Sequence, residues 1–221
     1  MKFDNKSRRL FKKLPEEIKK YFYEVDQKCE KHGITFRVSG GRGLNISNGR
    51  CGGYFGDFSR ELAIAINRPV KWVLSTLVHE ESHLDQWLDE NSVWYDSEIS
   101  DKFERFFQWL EGGIELKNPK DCAQKVIAIE LDCEKRSLKK IKKRWKHIIS
   151  EEDYAMSANA YMFSYLFMAE SRNWIKAKLR RKVFYRNFPK KILNKFENLS
   201  EEQFELFCRH EKAASQTKGG F

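Results

Sequence analysis

The chain has 221 residues, 41% of them hydrophobic and 33% charged, with 42 Lys and Arg against 32 Asp and Glu, for a formal net charge of +10. That apolar fraction, with 17 Phe and 6 Trp, excludes a disordered chain, and no apolar run approaches the ~20 residues of a membrane span. The five cysteines (Cys29, Cys51, Cys122, Cys133, Cys208) are scattered, odd in number and without Cys-x-x-Cys spacing, which excludes a disulfide framework and points to reduced thiols in a cytoplasmic setting.

Residues 1–6 lack the apolar core of a signal peptide. Residues 6–31 are predicted as one helix, with Leu10, Phe11, Leu14, Ile18, Tyr21, Phe22 and Val25 repeating on one face and His32-Gly33 ending it. Residues 34–38 alternate like a short strand. Gly40-Gly41-Arg42-Gly43 has neither a following Lys-Ser/Thr nor a following helix, so it is expected to be a turn, not a phosphate loop. Residues 51–66 are predicted as a hairpin, with Gly53-Tyr54-Phe55 as one arm, Gly56-Asp57 in the turn and Glu61–Ile66 as the other arm.

Asn67 as N-cap and Pro69 in the first turn open a helix whose apolar residues are Val70, Val73, Leu74, Leu77, Leu84 and Leu88. A polar link over 91–98 holds Trp94 and Tyr95. A helix over 100–111 carries Phe103, Phe106, Phe107 and Leu110 and stops at Gly112-Gly113. Asn118 opens a long helix reaching about residue 149. Further helices are expected over 152–182 and from Ser200, where Ser200-Glu201-Glu202-Gln203 makes a capped start with Phe204 and Phe207 packing inward. Residues 212–221 are expected to fray. The excess positive charge gathers at 135–146 and 176–195. It permits nucleic acid as a partner of the basic C-terminal half, the competing reading being a solvated surface.

The chemistry-bearing stretch is His79-Glu80-Glu81-Ser82-His83, a His-Glu-x-x-His motif on the helix that starts near Pro69. Residues four apart lie one above the other on a helix, so the two imidazoles can hold one Zn²⁺. Glu80, about 100° round the helix, reaches water at the metal without being a ligand and is assigned as the general base. The competing reading is two surface histidines on an amphipathic helix. Glu81 faces the side of Leu74 and Leu77 and calls for a basic partner that the sequence does not identify.

The long helix supplies the third ligand. Glu130 falls in the middle of the apolar stripe Ala123, Val126, Ile127, Cys133, Leu138, Ile141, Trp145 and Ile148. A lone carboxylate there is costly unless it is paired or binds a metal. Glu130 is therefore assigned as ligand with His79 and His83, an open His₂Glu set typical of catalytic zinc, and Glu134 as a hydrogen-bonding support one turn on. Two alternatives stay open: Glu134 as the ligand with Glu130 behind it, and Glu130 paired with a buried Arg or Lys. Asp132 points the other way. Tyr161 is the candidate for stabilising an oxyanion, with Tyr154 and His147 as further candidates, and Asn159 is also within range of the site.

The pairing of His79-Glu80-Glu81-Ser82-His83 with Glu130-Leu131-Asp132-Cys133-Glu134 resembles the gluzincin plan. The wording around His79–Trp87, the preceding Gly53-Tyr54-Phe55-Gly56-Asp57, Ser157–Tyr161 and Tyr185–Pro189 are similar to small metallopeptidase-like proteins of tailed bacteriophages. The resemblance implies an α+β, mostly helical zincin-like domain with a small antiparallel sheet beside the motif helix. It implies a zincin-like metallopeptidase core over 1–150, a C-terminal helical extension over 151–221 packed on it, and a location in the host cytoplasm. The implied activity is zinc-dependent hydrolysis of a protein or peptide, with the edge strand around residues 53–58 as a rail for extended substrate; a purely structural hairpin is the alternative. The different functional class is a catalytically silent zinc-site protein acting as a basic module that binds nucleic acid or a host protein.

Overall fold

Proline divides what the apolar repeat predicts as one N-terminal helix. In the computed structural model, which describes residues 1–46, 49–175 and 182–216, α1 (Asn5–Phe11) and α2 (Glu16–Lys31) are separated at Pro15, which serves as the N-cap of α2. Pro15 has no N–H to continue the α1 ladder, and its fixed φ suits a helix start. The chain packs as two compact units, Met1–Glu90 and Asn91–Phe221.

In the first unit, β1 (Lys2–Phe3), β2 (Thr35–Ser39), β5 (Gly53–Gly56) and β6 (Glu61–Ala65) form a four-stranded sheet in the order β1-β2-β6-β5. β2 pairs with β6 in parallel, from Thr35↔Glu61 to Ser39↔Ala65, and β1 joins β2 in parallel. Only β5 is antiparallel, in the expected hairpin with β6. The sheet is therefore mixed, correcting the expectation of an antiparallel one: the helical crossover through α1 and α2 returns the chain to β2 in the direction of β1. β5 is an edge.

Alternation along β2 and β6 sends Phe36, Val38, Leu62 and Ile64 into a core shared with Ile18, Phe22 and Val25 of α2, where Phe22 stacks on Phe36 at 5.7 Å. The opposite face carries Ala63 and Ala65. These small side chains leave room for an unpredicted two-stranded flap, β3 (Leu44–Ile46) with β4 (Gly49–Cys51), whose Leu44 and Cys51 pack on them. α3 (Val70–Leu88) follows β6 directly. Its N-cap is Pro69 with no side-chain cap, not the expected Asn67, whose backbone N–H is used on Gly41 O at 3.1 Å.

In the second unit, α4 (Ser97–Leu110) is capped by Asp96 and ends at Gly112, whose φ of +80 suits glycine. α5 (Pro119–Lys140) starts, as expected, from an Asn118 cap on Asp121 N, then widens into a π turn over Ile141–Trp145. α6 (Glu151–Ser171) stops eleven residues short of the expected 182, at left-handed Arg172; residues 176–181 of that expectation lie outside the described residues. After α7 (Lys182–Tyr185), α8 (Glu201–Gln216) begins in a complete capping box, Gln203 N on Ser200 Oγ at 3.2 Å and Ser200 N on Gln203 Oε1 at 3.0 Å. Phe207 is buried and stacks on Phe167, and Phe204 packs on the same ring. The expected fraying overlaps α8 up to Gln216, and residues 217–221 lie outside the described residues. Among the described residues no helix is long and apolar enough to cross a membrane.

Candidate functional site

Within the first unit, α3 brings His79 and His83 together. Their ring centroids are 4.7 Å apart with perpendicular planes, and each residue is 8% exposed, which removes the reading of two surface histidines. His83 Nδ1 lies 2.8 Å from Gln86 Oε1. A carbonyl oxygen only accepts, so Nδ1 carries the proton and Nε2 keeps its lone pair, the tautomer a metal ligand needs. Gln86 was not among the expected site residues; it lies three residues beyond His83 on the same helix and is fully buried.

Glu80 is buried, and its charge is felt by Cys51 at the end of β4. Burial, and then the Glu80 carboxylate, push the Cys51 thiol up to about 11. The close approach of this segment to α3 depends on glycine. A Cβ on Gly53 would meet Thr76 Cγ2 and Ile64 Cδ1, each at 2.8 Å. Thr76 is one turn before His79 and Glu80, so the start of edge strand β5 runs beside the motif.

The basic partner that Glu81 requires is Lys28 of α2. Lys28 Nζ is 3.0 Å from Glu81 Oε1 and also bonds Asp85, while the Tyr21 hydroxyl donates to Glu81 Oε2. Burial lowers the Lys28 pKa, but Glu81 and Asp85 together outweigh it and hold it raised. No sequence periodicity reports this pairing, because its members lie 53 residues apart.

Within the second unit, α5 carries Glu130 and Glu134 one turn apart, 7% and 6% exposed, with Cys133 buried between them. Helix α6 lines them with tyrosines. The hydroxyls of Tyr161 and Tyr165 lie 3.3 Å and 3.2 Å from Glu130 Oε1 and 2.5 Å from each other. Tyr154 is hydrogen-bonded to Glu134. Burial, and then the neighbouring carboxylates, raise the Tyr154 and Tyr165 pKa values well above the usual phenol range, so both stay protonated donors. The signal was legible in retrospect: Tyr154, Tyr161 and Tyr165 share a helix face, as do Glu130 and Glu134.

The remaining candidates are accounted for differently. Tyr161, expected to face an oxyanion, has its hydroxyl on Glu130 and Tyr165. Asp132 turns outward to Arg136 at 2.8 Å, as expected. His147 is exposed beside Trp145. Asn159 is a staple, not a site residue: its amide donates to Pro189 O and Lys191 O, both at 2.8 Å, and accepts from Leu193 N at 3.0 Å. No family model, no curated protein and no solved structure matches the chain.

Proposed function

We propose that the protein is a zinc-dependent hydrolase cleaving a peptide bond, with His79 and His83 as metal ligands, Glu130 as the third and Glu80 as general base. The observation that carries this reading is the buried His79–His83 pair with His83 Nδ1 tied to Gln86. An amphipathic helix gains nothing from burying two imidazoles, whereas a borderline-soft divalent cation takes this donor type. The zincin-like identity is supported by a parallel strand pair with an antiparallel edge leading directly into the motif helix.

When bound, the metal would polarise the substrate carbonyl and make water acidic enough to attack. Glu80 would accept a proton from the attacking water and pass it to the leaving amine. Glu81 takes no part, since Lys28 and Tyr21 hold its carboxylate. Gln86 fixes the His83 tautomer. Tyr161 and Tyr165 orient Glu130, and Glu134 with Tyr154 supports the same helix face. β5, at the edge of the sheet, is the strand beside which an extended peptide would lie.

Metal analysis of the purified protein should find one zinc per chain, lost in His79→Ala and His83→Ala. Glu80→Gln should keep the metal and abolish hydrolysis of a peptide library. A protein with no affinity for zinc overturns the proposal. Cys133 is the competing third ligand, a soft donor on the same helix. Cobalt substitution separates the two: a thiolate ligand produces intense near-ultraviolet charge transfer, and the His₂Glu set does not.

A further inference from the structure

From Lys135 to Ser150 the chain carries eight Lys or Arg and no Asp or Glu. The macrodipole favours cations in the last turn of a helix, which accounts for two or three of them but not for eight. Their arrangement is set by the π turn at Ile141–Trp145. In an α-helix, residues four apart drift forward by about 40° per step; a π turn rotates less per residue and drifts them back. Three rows therefore stay straight. Ser137, Ile141 and Trp145 are buried in one row. Lys135, Lys139 and Lys143 are exposed in the second, and Arg136, Lys140 and Arg144 run beside them with Arg144 exposed; Lys142 and Lys146, also exposed, flank the other side.

We propose that residues 135–146 bind the phosphate backbone of nucleic acid. The band is about 16 Å long, enough to follow one strand of a duplex over about five steps of 3.4 Å. It sits on a helix anchored by Trp145, so the cations are presented in fixed rows, not on a loose tail. Its exposed positions from Lys135 to His147 hold only Lys, Arg and His. With Ile141 and Trp145 buried and Leu138 half-buried, no fully exposed apolar side chain faces a bilayer from this segment, and insertion of an amphipathic helix into a membrane is disfavoured. At the rim Arg136 pairs with Asp132 at 2.8 Å and Lys142 with Glu151 at 3.2 Å, while the central Lys135-Lys139-Lys143 row is exposed. The surface is independent of the metal proposal.

The test is fluorescence anisotropy of the full chain with a short labelled DNA duplex over a salt series. Binding should weaken with a log–log slope of about −4, corresponding to four or five phosphate contacts. Lys139→Glu with Lys143→Glu should weaken binding at least tenfold and reduce the slope by about 2, with an unchanged circular dichroism spectrum. Lys135→Gln with Lys146→Gln, a milder pair, should give a smaller loss in the same direction. The equal charge change at exposed Lys12 and Lys13 should leave binding within twofold. An equal loss from the Lys12 and Lys13 variant, tighter binding to phosphatidylserine vesicles or polyglutamate than to the duplex, or no binding at low salt would each overturn the proposal. Chelation should leave duplex binding unaltered.

Discussion

Glu81 is a buried acid in a helix that also carries the motif histidines, and Lys28 pairs with it. Removing Lys28 takes away the ammonium that pairs with both Glu81 and Asp85, two acids one turn apart. Lys28→Met should therefore cost about 2 kcal/mol by urea unfolding, the lower part of the range for a broken buried pair because Lys28 is partly exposed. Adding Glu81→Gln should recover part of the loss. The pH dependence follows from the direction of the shift. The Lys28 pKa is raised from its ordinary 10.5, so its contribution is complete below 10.5 and is lost as pH rises through the higher folded value; the Met variant should lack this alkaline loss. A second residue-scale prediction reads Glu80 without any turnover. Its charge helps hold the Cys51 thiol up at about 11. Glu80→Gln should lower that value, raise the thiolate fraction and speed alkylation of Cys51 at mildly alkaline pH, measured by peptide mass spectrometry; an unchanged rate would show that burial alone controls this thiol.

At the scale of elements, α5 and α6 join through carboxylates and phenols as well as apolar contacts. Tyr165→Phe removes a donor from buried Glu130 and should cost about 1–3 kcal/mol, more than the same change at a surface tyrosine. Asn159 ties α6 to a loop, with three hydrogen bonds reaching residues 189–193. Asn159→Ala should cost about 2 kcal/mol and expose that loop to limited proteolysis while α6 itself stays helical. α5 begins where its cap predicts, at Asn118, because capping is read within four residues; α6 begins at Glu151, one residue before the expected start, on a Ser150 cap. Their ends were less legible. A left-handed Arg172 and a π turn are not written in any local pattern, and the apolar repeat continues past both.

For the whole molecule, a metal that binds the folded chain and not the unfolded one must stabilise it by mass action. Zinc at a hundred times its dissociation constant should add about 2.7 kcal/mol, seen as a raised melting temperature that is reversed by chelator and absent in His83→Ala. An unchanged melting temperature in the native sequence would count against a metal held by these side chains.

Local sequence by itself determined the elements whose causes lie within a turn or two: the motif helix with its paired imidazoles, the β5–β6 hairpin, and the buried position of Glu130 and Glu134. Only the tertiary structure decided which side chains answer those buried groups. Lys28 and Tyr21 on Glu81, Cys51 beside Glu80, and the tyrosines of α6 on the carboxylates of α5 are all long-range pairings. Periodicity tells which face of a helix turns inward; what meets it there is set by packing between segments distant in the chain, which no local repeat encodes.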